Sequence, residues 1–318
     1  MKFSIILPVY KAAGFVERSI RSVQNQTLAP DEIIIIDDCS PDNTLDVVKN
    51  LTKDDARVRI FQTPQNGGPS LARNIGLEQA TGDWVAILDA DDAYAPNRLE
   101  TLASLIESDP SLDVVADDLA YYDAIAAKIT GRALGPAHIP SAEITLEDYL
   151  AHTVADGKTL DWGLFKPALR RNFLNQHQLR YPTNQRHGED YVFMLRLLSA
   201  GARFRVSPEA TYLYTQREGA ISRRKSDITR TSIAYDSLIA VTEQAGRSPP
   251  IVGNPKLESL IARRVKGLTK LDDAHFFSVA IRRGDLIGLI RRAVKRPAFI
   301  ILVARQIGMA VKRRLVRR

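Results

Sequence analysis

Two aspartates one residue apart end an apolar run in Trp84-Val-Ala-Ile-Leu-Asp89-Ala90-Asp91-Asp92. Carboxylates at that spacing can hold a hard divalent cation, and bound Mg²⁺ or Mn²⁺ keeps its remaining positions for water and substrate phosphates. The implied substrate is a phosphate ester. A second acidic pair, Glu189-Asp190, follows Gly188 and opens an apolar pattern that reads as a helix to about Ser199. Taken alone it is capping chemistry, because acids in the first turn oppose the exposed amides and the positive end of the helix dipole. A third acidic pair, Asp37-Asp38, closes the run Glu32 to Asp37, which contains four consecutive isoleucines.

Groups so far apart in the chain must be positioned by strands that end at one edge of a sheet. Phe3 to Val9, Glu32 to Asp37, Val58 to Gln62 and the Trp84 run read as strands, with helical patterns between them at Gly14–Gln26, Asn43–Thr52 and Ser70–Ala80. The isoleucine run has the continuous apolar character of a strand buried on both faces. Strands alternating with helices predict an α/β fold with a doubly wound sheet, which places ligands beyond the carboxyl ends of its strands. No G-x-G-x-x-G follows the first strand and no G-x-x-x-x-G-K-[ST] occurs, which argues against a dehydrogenase or a P-loop enzyme. Further on, the pattern predicts a helix from Pro96 to Ser108, a strand from Leu112 to Ala116, a short helix from Thr145, and helical character after Trp162-Gly-Leu-Phe-Lys. Residues 121–140 show no clear pattern.

The motifs Leu7-Pro8-Val9-Tyr10, Asp37-Asp38-Cys39-Ser40, Asn66-Gly67-Gly68 with Ala72-Arg73-Asn74, Asp89-Ala90-Asp91-Asp92 and Gly188-Glu189-Asp190 occur in that order. In this the chain resembles the inverting glycosyltransferases of family 2, a nucleotide-sugar group with the GT-A fold. The resemblance covers residues 3 to about 200 and extends loosely through Tyr212–Ser222. It implies a Rossmann-like mixed sheet over residues 1–225 and a metal-dependent hexosyltransferase using a UDP-sugar. Pro8 and Tyr10 would border the uracil, Asp38 would accept a hydrogen bond from the base, and Arg73 would lie near the base or diphosphate. The donor and its Mg²⁺ or Mn²⁺ would meet Asp89, Ala90 and Asp91, with Asp91 the direct metal ligand, Asp89 on the ribose or in the metal shell, and Asp92 a supporting turn residue. Asp190 would be the base that deprotonates the acceptor, the family pattern favouring it over Glu189; Glu189 would then orient the acceptor, and Trp162 would either stack its indole on the acceptor sugar or pack in the core. Arg217, Arg223 and Arg224 could close over the diphosphate or form a basic loop.

The 318 residues carry a formal charge of +7, but Ile281 to Arg318 hold twelve basic residues and one acid, so residues 1–280 are mildly acidic. Residues 226–318 read as a helical extension whose tail, 281–318, alternates basic clusters with apolar groups. Its apolar run is too short to span a bilayer, and the pattern favours an amphipathic helix lying on anionic lipid over a helical pair packed on the enzyme with a solvated basic face. Aromatics interleave sparsely with the basic residues, which disfavours nucleic acid. A single cysteine, Cys39, and no long apolar leader after Met1 suit a reducing compartment. Together with the basic tail, the resemblance to family 2 implies a peripheral enzyme on the cytoplasmic face of the plasma membrane, transferring sugar to a lipid-linked or glycan acceptor in exopolysaccharide or envelope polysaccharide synthesis. The alternatives are a nucleotidyltransferase of similar topology, against which the loop Pro8-Val-Tyr-Lys-Ala-Ala-Gly argues, and a non-catalytic membrane-recruited binding protein.

Overall fold

The isoleucines of one strand explain the architecture. Ile33 and Ile35 of β2 (Glu32–Asp37) join one core cluster and Ile34 and Ile36 join another, all four fully buried. Successive side chains of a strand point to opposite faces, so an unbroken apolar run needs cover on both. Each fully buried isoleucine contributes roughly 1.5–3 kcal/mol by leaving water. In the computed structural model, which describes residues 1–140, 142–155, 161–185, 187–216 and 234–304, helices supply that cover.

β1 (Phe3–Val9) leads into α1 (Val16–Gln24), and β2 into α2 (Thr44–Thr52). β3 (Val58–Gln62) precedes α3 (Pro69–Gln79), and β4 (Trp84–Ile87) is followed by the two-residue β5 (Ala93–Tyr94) and α4 (Arg98–Ser108). Next come β6 (Val114–Asp123), β7 (Lys128–Arg132), α5 (Leu146–His152), β8 (Ala168–Arg170), α6 (Arg171–Gln176), α7 (Glu189–Ser199) and β9 (Phe204–Gln216). One sheet runs β3-β2-β1-β4-β8-β6-β9-β5, with β7 paired to β6. β1 is parallel to β2 and β4, and β2 to β3, so Tyr10, Asp38 and Asp89 all follow strands that end at the same edge. Val16, Ile20 and Val23 of α1, Val48 of α2 and Leu99 and Leu102 of α4 cover one face; Ala72 and Leu77 of α3, Leu150 of α5, Leu174 of α6 and Leu197 of α7 cover the other.

The second half of the sheet departs from the sequence pattern. β8, three residues long, lies antiparallel to both β4 and β6 at the centre. A strand that short leaves no periodicity to read. β6 continues to Asp123 and forms an antiparallel pair with β7, so the unpatterned region begins inside a strand. β9 pairs parallel with β6 along its length, but the register shifts between Asp117 and Leu119, and Pro208-Glu209 interrupts the alternation.

α8 (Tyr235–Gly246), the 29-residue α9 (Pro255–Arg283) and α10 (Leu286–Lys295) follow. Leu257 and Ile261 of α9 belong to the same core cluster as Trp162 and Tyr191. Arg264 of α9, 4% exposed, places its guanidinium 3.6 Å from the Tyr191 ring centre and one nitrogen 2.7 Å from Asp161 Oδ2. The helical extension is thereby keyed to the helix that carries Glu189 and Asp190.

Candidate active site

Glu189 and Asp190 lie a hundred residues beyond Asp89, yet two buried cations join them. Arg73, on α3, sets Nη2 2.7 Å from Asp89 Oδ1 and Nη1 3.0 Å from Glu189 Oε1 and 3.3 Å from Asp190 Oδ1. Lys166 closes the ring, its Nζ 2.8 Å from Asp89 Oδ2 and 2.6 Å from Asp190 Oδ2. α3 starts where it does because Pro69 stands in its first turn and Gly68 takes φ +85°, a conformation that glycine adopts without a side-chain clash. β4 ends beside it, and Lys166 sits just before β8, the strand paired to β4.

Desolvation in this cluster disfavours every charge, and the pairing decides the outcome. Burial would raise the Asp89 carboxyl, but Lys166 and Arg73 outweigh it and hold the group well below the usual carboxylate range. Burial would lower Lys166 and Arg73, yet Asp190 and Asp89 raise both well above their ordinary values. Burial and the neighbouring Asp190 push Glu189 up, with Arg73 opposing.

The turn after β4 is held by its backbone. Ser19 Oγ, on α1, lies 2.6 Å from both the Ala90 and Asp92 carbonyl oxygens, and Arg18 Nη2 donates to the Asp91 carbonyl at 2.7 Å. Asp92 turns inward and accepts from Tyr212 Oη and the Thr215 amide, each at 2.8 Å. Burial, together with Asp91 and Asp89, pushes its carboxyl up to about 8. The turn is thus anchored to α1 on one side and β9 on the other.

Both Asp89 oxygens are paired with the Arg73 and Lys166 cations. Two residues take positions different from those expected. Asp38 is buried and spends its carboxylate on the next loop: it accepts from the Gly67 and Gly68 amides at 2.9 and 2.7 Å, from Asn66 Nδ2 at 2.8 Å and from Thr63 Oγ1 at 3.0 Å. Trp162 is 1% exposed, with His152 stacked on it at 4.0 Å and Phe165 at 5.8 Å. Its indole packs in the core and does not offer a face to a sugar. Pro8 is half-buried and Tyr10 is 42% exposed at the sheet edge, with Lys11 Nζ 5.3 Å from its ring centre. Arg217, Arg223 and Arg224 lie outside the described residues.

Lys166, Arg18 and Tyr212 are site residues that sequence reasoning did not single out. For Lys166 one signal existed, a lone cation ending the apolar run Trp162-Gly-Leu-Phe. A metal ion fits this donor set in one way. Among the described residues no cluster of three metal-ligating side chains occurs, so an ion would rely on Asp91 together with water and the phosphates of a substrate, the arrangement Mg²⁺ commonly takes.

The glycosyl transferase family 2 model matches residues 4–155. The chain is 31% identical over 241 residues to the succinoglycan biosynthesis protein ExoU of Rhizobium meliloti (strain 1021), covering 74% of this chain and 69% of that protein. It is 29% identical over 320 residues to the succinoglycan biosynthesis protein ExoO of the same organism, covering 99% and 86%. Among solved structures, S. aureus TarS 1-349 in complex with UDP-GlcNAc superposes with a TM-score of 0.65 at 21% identity, over 83% of this chain and 72% of that one. The fold is therefore the GT-A type. With ExoU 31% identical over about three quarters of this chain and two thirds of that protein, and with the family model matched, the chain belongs to glycosyltransferase family 2.

Proposed function

We propose that this enzyme moves a hexose from a UDP-sugar to a glycan acceptor, lipid-linked, in the synthesis of an exopolysaccharide or envelope polysaccharide. The observation that carries the reading is the junction of Asp190 with the Asp89–Asp92 turn through Lys166 and Arg73. It puts a carboxylate capable of proton abstraction beside a turn suited to a diphosphate. The two succinoglycan proteins support the polymer class, and the UDP-GlcNAc bound to TarS supports the donor class.

In this reading the reaction is one in-line displacement with inversion. The acceptor oxygen bonds to the anomeric carbon, its proton passes to an oxygen of Asp190, and the bond from the anomeric carbon to the diphosphate oxygen breaks, releasing UDP. A divalent cation held by Asp91 and the phosphates supplies charge neutralisation when bound. Lys166 and Arg73 hold Asp190 in place against the Asp89 turn. Glu189 shares Arg73 and stands at the acceptor side, while Pro8, Tyr10 and the loop clamped by Asp38 form the wall for the base. The enzyme works at the cytoplasmic face of the plasma membrane; among the described residues no helix is long and apolar enough to cross a bilayer.

Calorimetric titration of UDP with and without Mn²⁺, on the wild type and Asp91→Ala, tests the donor site. Metal-dependent binding lost in the variant is the expected result. No binding under either condition removes the donor assignment. A purely binding protein would be indifferent to Asp190→Asn, whereas the proposed enzyme loses transfer by about 10²–10⁴-fold while retaining UDP.

A further inference from the structure

α10 is turned the wrong way round for a helix on a soluble protein. Leu286, Ile287, Ile290 and Val294 are between 65% and 77% exposed, and no residue of the helix is buried. At helical spacing the four fall within an arc of about 100°. An amphipathic helix on a globular domain ordinarily buries such a stripe.

The polar side is the one that meets the protein. Arg292, roughly opposite the stripe, ion-pairs with Asp272 and places Nε 2.9 Å from Asp273 Oδ1. Arg296 Nη1 lies 2.8 Å from Asp272 Oδ2 and 3.1 Å from Asp273 Oδ1. The orientation is therefore specified by two arginines and two partly buried acids on α9, and the outward apolar face is part of the fold. Ile281, Ile300 and Ile301, near the two ends of the helix in sequence, are each more than half exposed as well.

Cations border this face. Arg282, Arg283, Arg291 and Lys295 are exposed, and from Leu286 to Ala304 the sequence contains no acid. A stripe of aliphatics edged by cations matches an anionic lipid surface, where side chains enter the headgroup boundary and charges stay with the phosphates. Ten residues of helix extend about 15 Å, half the hydrocarbon thickness, so the helix lies in the plane. A second copy of the chain fits less well, since a twofold contact would set the same cationic border against itself.

We propose that the outward face of α10 is the membrane-docking surface. This rests on the membrane reading given above and assigns it to named side chains. Because Arg292 and Arg296 fix α10 to α9, and Arg264 of α9 is paired to Asp161 beside the catalytic helix α7, docking would also fix how the active site faces the bilayer.

The test is flotation of the full chain with vesicles of phosphatidylglycerol and phosphatidylethanolamine, and with neutral phosphatidylcholine vesicles. The wild type should float with the anionic vesicles and be released by salt. Replacing Leu286, Ile287, Ile290 and Val294 together by serine, all at exposed positions, should weaken flotation by about tenfold or more and leave UDP binding unchanged. In Ile290→Trp the emission should shift to the blue on adding anionic vesicles, against a background of two buried tryptophans, Trp84 and Trp162. Undiminished flotation of the serine variant would assign binding to tail charge alone and overturn the proposal. So would a wild type that never floats, or a concentration-dependent dimer that the same four substitutions abolish. If UDP binding persists while flotation fails, only the docking surface is lost; if UDP fails to bind, the donor assignment falls independently.

Discussion

The Lys166 ammonium stands 2.6 Å from the Asp190 carboxylate, inside a protein interior where neither charge would be stable alone. The same ammonium contacts Asp89, so one side chain couples the turn after β4 to the first turn of α7.

Lys166→Met removes one of the two cations from this ring and leaves Asp89 and Asp190 to Arg73. Breaking a buried pair from one side destabilises by roughly 3–5 kcal/mol, which denaturant unfolding would measure. Lys166→Arg should recover part of that stability but little of the turnover, because a planar fork cannot reproduce the position of a compact ammonium. Equal stability of Lys166→Met and wild type would contradict the pairing.

Asp92 gives a pH dependence of unusual sign. Its carboxyl is pushed up to about 8 from an ordinary 3.8, so between those values the folded state binds a proton that the unfolded state does not. Stability of the metal-free protein should therefore fall as pH rises from about 4 to about 8, by an amount on the order of a few kcal/mol. Asp92→Asn, which mimics the protonated group, should flatten that slope. Asp89 acts oppositely: its lowered value gives stability present above the ordinary carboxylate range and lost as pH falls below it.

Asp38 distinguishes a clamp from a reader of the base. Asp38→Ala removes the charged acceptor of the exposed Gly67 and half-buried Gly68 amides, a loss of about 1.5–3 kcal/mol for a hydrogen bond to a charged group. As a clamp, the residue should lower the melting temperature and weaken UDP and GDP together. A change in the preference between UDP and GDP at unchanged stability would identify direct base contact instead.

Trp162 should act through packing. Trp162→Ala is expected to cost about 3–5 kcal/mol, whereas Trp162→Phe should keep the acceptor KM near that of the wild type. A large rise in acceptor KM for the phenylalanine variant, at unchanged stability, would restore the sugar-stacking role.

The first half of the fold was legible because its residues solve a local problem. Four isoleucines in a row demand cover on both faces, and the alternation of strands and helices up to Trp84 follows from that demand. Each acidic motif was visible where a strand or helix boundary exposed it. β8 and β9 were not, since a three-residue strand and a register-shifted one carry no clean period. The surroundings of Trp162 were not legible either, because an aromatic side chain near a site looks the same in sequence whether it faces a ligand or a neighbouring ring.

By itself the sequence determined the parallel half of the sheet, the edge at which Tyr10, Asp38 and Asp89 emerge, and the acidic start of α7. Hydrophobic periodicity and capping act over a few residues, and those signals survive in one dimension. Only the tertiary structure decided that Arg73 and Lys166 would bind Asp89 to Asp190, that Asp38 would hold its neighbouring loop, and that α10 would show its apolar face to the outside. Those outcomes depend on which charges meet across a hundred residues, where the cost of burial makes each cation choose its partners by proximity in space.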